Sequence, residues 1–90
     1  MPEPVIICLH QPALELAEKV ASLCDGEVHG LQSRVKTIPK TFEKTKEHLR
    51  DLFQKGHPLV GICSSGILIR SLADVLSDKH TEPPVLAVAE

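Results

Sequence analysis

Two kinds of apolar pattern alternate along this chain, and the alternation decides its fold class. Val5 to Leu9, VIICL, is a continuous apolar run rich in β-branched residues, as expected of a strand covered on both faces. The following PALELAEKVASLC has a different period, with apolar residues at 13, 16, 17, 20, 21, 23 and 24 and polar ones at 15, 18, 19 and 22. That is the apolar face of a helix, with Pro12 suited to its first turn and Asp25-Gly26 to its end. EVHGL, Glu27 to Leu31, is a weaker strand, and QSRVKTIPK holds turn and breaker residues and reads as a loop. Thr41 is placed to cap a helix running to about Lys55. Phe42, Leu49, Leu52 and Phe53 share one face of it, its lysines and glutamates mark the solvated face, and Gly56 is its stop.

The alternation continues to the end. HPLVGIC is a second buried strand opened by Pro58. GILIRSLADVLSDK puts Ile69, Leu72, Ala73 and Leu76 at helical spacing, with Arg70, Ser71, Asp74 and Ser77 elsewhere. PPVLAVA, Pro83 to Ala89, is a last apolar strand. The order β-α-β-α-β-α-β predicts an α/β three-layer sandwich with a mainly parallel four-stranded sheet, Rossmann- or flavodoxin-like. A strand order of 2-1-3-4 brings the ends of the first and third strands together. Open parallel sheets bind ligands at the carboxyl ends of their strands, where that order reverses. His10-Gln11 and Cys63-Ser64-Ser65-Gly66 fall at this edge.

Composition narrows the partners. Ninety residues with 42% apolar content make one small domain, and a net charge of -2 with a pI near 6.2 argues against an electrostatic nucleic-acid binder. There is no Trp or Tyr for base stacking, and the phenylalanines are Phe42 and Phe53. No run approaches the roughly 20 apolar residues of a membrane span, and the start MPEPVIICLHQP lacks the pattern of a signal peptide, so a cytoplasmic setting is expected. Cys8, Cys24 and Cys63 are widely spaced and lack the close pairing of a zinc half-site or a redox dithiol. They read as free structural thiols, and no metal site is expected.

The strand-to-helix turn in CSSGILIR is where chemistry is sought. A phosphate-loop cysteine phosphatase separates its cysteine and arginine by five residues, whereas Cys63 and Arg70 are one further apart and Ile69 holds the required position. No Gly-Lys-Ser/Thr closes a nucleotide loop, and Gly61 and Gly66 bracket the serines at the wrong interval for a nucleophile elbow. Two readings stay open. Ser64, Ser65 and Gly66 at a helix start could hold a carboxylate or phosphate, with Arg70 one turn on. Equally, a serine caps the helix, Gly66 permits packing, and Arg70 pairs with Asp74.

The ordered set Gly66-Ile67, Ile69-Arg70, Leu76-x-Asp78-Lys79 and Glu82-Pro83-Pro84-Val85 resembles the N-terminal domain of the CbiG family, the cobalt-precorrin-5A hydrolases of cobalamin biosynthesis. The ending EPPVLAVAE is most similar to versions in which this domain precedes a precorrin-3B methyltransferase acting at carbon 17. The resemblance implies a carboxylate-rich tetrapyrrole substrate, a corrin precursor whose δ-lactone is opened with loss of acetaldehyde. It gives an anion site at His10, Ser64, Ser65, Gly66 and Arg70 a purpose, without assigning catalytic residues.

It further implies that cobalt arrives within the substrate, that no cofactor belongs to this chain, and that S-adenosylmethionine would belong to a fused methyltransferase. The partner is a covalently linked or associated corrin-pathway domain, with neither nucleic acid nor membrane. Family members continue into a Gly-His-x-Gly-x-Asn segment that is not found before Glu90, so the chain is expected to be a truncated domain, inactive alone. The alternative is a non-catalytic module that docks on, or channels substrate to, the methyltransferase.

Overall fold

Val5, Ile6, Ile7 and Cys8 form the central strand β1 (Val5–Cys8), and each is at most 1% exposed. Burial of this kind needs a cover on each face, and the chain supplies both. The computed structural model describes residues 2–35, 37–63, 65–73 and 83–88. Within them β1 is followed by a 3-10 turn (Gln11–Ala13), α1 (Leu14–Cys24), β2 (Glu27–Leu31), β3 (Thr41–Phe42), α2 (Thr45–Gln54), β4 (Leu59–Ile62), α3 (Ser65–Leu72) and β5 (Val85–Ala87). All pairings are parallel, in the order β3-β2-β1-β4-β5. The α/β sandwich and the adjacency of β1 and β4 agree with the sequence reading.

The strand period of two sorts side chains between the layers. Val5, Ile7 and Leu59 pack with Leu49, Leu52 and Phe53 of α2 and Leu68 and Leu72 of α3. Ile6, Cys8 and Ile62 pack on the opposite face with Leu14 and Ala17 of α1. α1 ends where Asp25 takes a left-handed conformation at φ 55°, and Gly56 at φ 89° stops α2.

Two expectations are corrected. Among the described residues the sheet has five strands rather than four, because Thr41-Phe42 is a strand and not the first turn of a helix. Gly30 N–H donates to the Lys40 carbonyl and Gln32 N–H to that of Phe42, so the free edge of β2 captures this segment. α2 therefore begins at Thr45, and Phe42 buries its ring from the sheet side. The phase of α3 is also different: Leu68, Ser71 and Leu72 are buried, while Ile69 is 59% exposed and Ala73 is exposed. Ile67, Leu68 and Ile69 are all apolar, so spacing alone fits more than one inward face. The end of that helix expected over 74–79, including an Arg70–Asp74 pair, lies outside the described residues, as does Ser64.

The loop from β2 to β3 crosses the α1 face with Val35 fully buried. It fits because Gly30 has no side chain there: a Cβ would lie 2.8 Å from Val35 Cβ and 3.0 Å from Ile38 Cδ1. The cysteines are all free thiols, with Cys8 buried, Cys24 exposed and Cys63 between. Burial pushes the Cys63 thiol above its ordinary value, opposite to the activation of a nucleophile.

Two outcomes follow from this packing. Gly30→Ala is expected to cost about 1–3 kcal/mol by lifting the loop from β2, measurable by urea denaturation; unchanged stability would show that the loop yields freely. With a maleimide at neutral pH, Cys24 is expected to label first, Cys63 more slowly and Cys8 only on unfolding, as read by peptide mass spectrometry. Preferential labelling of Cys63 would contradict an inert thiol.

Candidate functional site

Parallel strands followed by helices leave a crevice at the carboxyl edge, and the described residues line one there of about 480 Å³. Its walls are Leu9 just beyond β1, Leu31 at the end of β2, Thr45 and Lys46 in the first turn of α2, and Ile67, Arg70 and Ser71 of α3. Leu9 and Leu31 pack against the core shared with α2 and α3, giving the cleft an apolar base. Arg70 and Lys46 are exposed and bring two cations to it. Thr45 adds a hydroxyl beside the positive end of the α2 dipole. The Lys44 N-cap makes no side-chain capping bond to that turn. Cations and a hydroxyl over an apolar base suit a ligand that joins hydrocarbon to carboxylates.

The residues singled out from the sequence are placed unequally. Arg70 lines the cleft. Gly66 is half-buried in the first turn of α3, and Ser65 begins that helix. His10 is at the same edge, but its carbonyl accepts the Ala13 N–H and the Cys8 thiol, and the chain runs from it into the 3-10 turn and α1 on the opposite face. It is not a lining residue of this cleft. Thr45 and Lys46 escape a sequence reading that begins the helix at Thr41, whereas the observed start at Thr45 sets them at the carboxyl edge. No membrane-spanning helix and no group of three or more metal-ligating side chains occurs among the described residues.

A second polar cluster flanks α2, and the sequence reading missed it. His29 of β2 and His48 of α2 meet at 2.8 Å between Nδ1 and Nε2. The other nitrogen of His29 is 2.7 Å from Glu27 Oε1, and Lys40 Nζ is 2.6 Å from Glu27 Oε2. Lys40 first, and then His29, hold the Glu27 carboxyl below its ordinary range. His48 stacks on Phe42 at 4.5 Å between ring centroids, and burial, followed by the His29 charge, pushes its pKa down. His48 also lines a shallow cleft of about 440 Å³ with Phe42, Glu43, Lys44 and Glu47.

Comparison with known proteins bears on the half of the chain that carries Arg70. No curated protein and no solved structure matches the chain. The family model described as cobalamin synthesis G N-terminal matches residues 47–90, from the first turns of α2 through α3 and β5. This match and the resemblance of Gly66 to Val85 fall on the same segment, and residues 47–90 belong to the cobalamin synthesis G N-terminal family.

Proposed function

We propose that the chain serves cobalamin biosynthesis as a domain of a cobalt-precorrin-5A hydrolase, or of such a hydrolase fused to a precorrin-3B methyltransferase. Involvement in cobalamin synthesis follows from the family match. The substrate class rests on one observation, the cleft where Arg70 and Lys46 stand over Leu9 and Leu31. A corrin precursor pairs a hydrocarbon rim with acetate and propionate arms. The Arg70 guanidinium can take one carboxylate through two parallel hydrogen bonds, and the Lys46 ammonium can act as a point charge for a second. A crevice of about 480 Å³ seats an edge of a tetrapyrrole rather than the whole ring. Cobalt enters as part of the substrate.

The lining residues also bear on mechanism. Opening a lactone needs water activated by a base and a group that stabilises the developing oxyanion. Arg70 and Lys46 can supply the second, but among the described residues no carboxylate or imidazole lines this cleft to supply the first. That composition favours a second reading, a binding module that presents the tetrapyrrole to an adjoining catalytic domain. Release of acetaldehyde by the longer protein would favour the hydrolase, and methyl transfer without it the module.

Titrating the chain with a cobalt corrinoid bearing free side-chain carboxylates is expected to give saturable amide shifts at Leu31, Thr45, Lys46 and Ile67 to Ser71. Arg70→Ala is expected to weaken binding up to about fivefold, the loss of an exposed ion pair of at most about 1 kcal/mol. Unchanged affinity in that variant, or shifts only at His10, would overturn this placement.

A further inference from the structure

His29 and His48 come from different elements, and their geometry fixes where protons can sit. Glu27, held ionised, can only accept, so His29 Nε2 carries a hydrogen and donates it to Oε1. In the neutral ring that leaves His29 Nδ1 bare, and His48 Nε2–H donates to it across 2.8 Å. A first added proton is tolerated: it binds His48 Nδ1 and the bond between the rings survives. A second must go to the facing His29 Nδ1, where two N–H groups would then point at each other.

We propose that this pair is a proton-operated latch between β2 and α2, closed while the two rings share a single hydrogen along their contact and released when both are fully protonated. The surroundings bias the steps. Glu27 on β2 contacts His29, and Lys40 from the loop before β3 pairs with the same carboxylate. On α2, Asp51 favours charge on His48 and Lys55 opposes it. Glu43, Lys44 and Glu47 line the adjoining shallow cleft, and β3 presents the uncharged Phe42 ring.

The latch adjoins the anion cleft. Leu31 is two residues beyond His29 on the same face of β2, and Thr45 is three residues before His48 on α2; both line that cleft. Releasing the rings loosens the contact between β2 and α2 beside the Leu31 and Thr45 walls of the cleft. The effect on a ligand rests on the function proposed above, whereas the latch itself does not.

The test is a titration of the 15N-histidine-labelled chain from pH 8 to pH 5, read by long-range proton–nitrogen correlation, without ligand. Both neutral rings are expected as Nε2–H tautomers. They should titrate in two coupled steps, the second with amide shifts confined to β2 and the first two turns of α2. His48→Gln, which keeps a donor, should abolish the coupled steps. Folded His48 is harder to protonate than unfolded His48, so its stability contribution is present above pH 6.5 and is lost as pH falls from there towards the lowered folded value. His48→Gln should flatten that slope; any Glu27 effect lies lower, below its ordinary 4.5. Independent single-proton curves, each unmoved by replacing the other ring, would overturn the latch. A corrinoid titration separates the two ideas: Arg70→Ala should weaken binding and leave ring titration alone, whereas His48→Gln should remove the pH dependence of binding.

Discussion

Burial of β1 on both faces is the constraint on which the rest depends. Ile7 faces the layer of α2 and α3, and Ile6 and Cys8 face α1. Such a strand cannot sit at a solvated sheet face, because each apolar side chain left in water would forgo about 1.5–3 kcal/mol of burial. Parallel pairing to β2 on one side and β4 on the other satisfies its backbone, and the crossovers of parallel strands place helices on the faces. A crevice at the carboxyl edge is a by-product, since chains leave neighbouring strands in different directions there.

This dependence explains what could be read from the sequence. VIICL and HPLVGIC announce themselves because doubly covered strands carry their own pattern, EVHGL does so more weakly, and the structure places strands at Val5–Cys8, Leu59–Ile62 and Glu27–Leu31. β3 is different. Two residues carry no period, TFEKTKEHL fits a helix as well, and the free edge of β2 decides the outcome. The phase of α3 was equally hidden. Ile67-Leu68-Ile69 offers several inward faces, and the shallow surface at Gly61 receives Leu68, whose methyl groups lie within 3.0 Å of where a Cβ would be.

The candidate site divides along the same line. The fold rule pointed to the carboxyl edge, where Arg70 lines a cleft, but it could not tell which face of the sheet each connection takes. His10 consequently belongs with the α1 side, while Leu9, its neighbour, packs toward α2 and α3. Glu27, His29 and His48 show no ligand-like local spacing, because their meeting is made by the docking of α2 on β2 across 19 residues. Only tertiary packing makes those residues a cluster.

Charge argues further about how the cleft would work. The chain carries a net charge of -2, so its overall field does not draw in an anion, and attraction has to come from Arg70 and Lys46 at short range. Both are exposed, and an exposed ion pair contributes at most about 1 kcal/mol and is screened by salt. A ligand with one carboxylate would therefore be held weakly. Several carboxylates on one rigid hydrocarbon rim change the balance: engaging one fixes the approach of the next, and the apolar rim covers Leu9 and Leu31 at the same time. On the function proposed above, the cleft would hold a large polycarboxylate better than a small anion. The acid–base groups lie on the other flank of α2, so the position of this one helix governs both the cation it brings to the cleft and the imidazole it brings to β2.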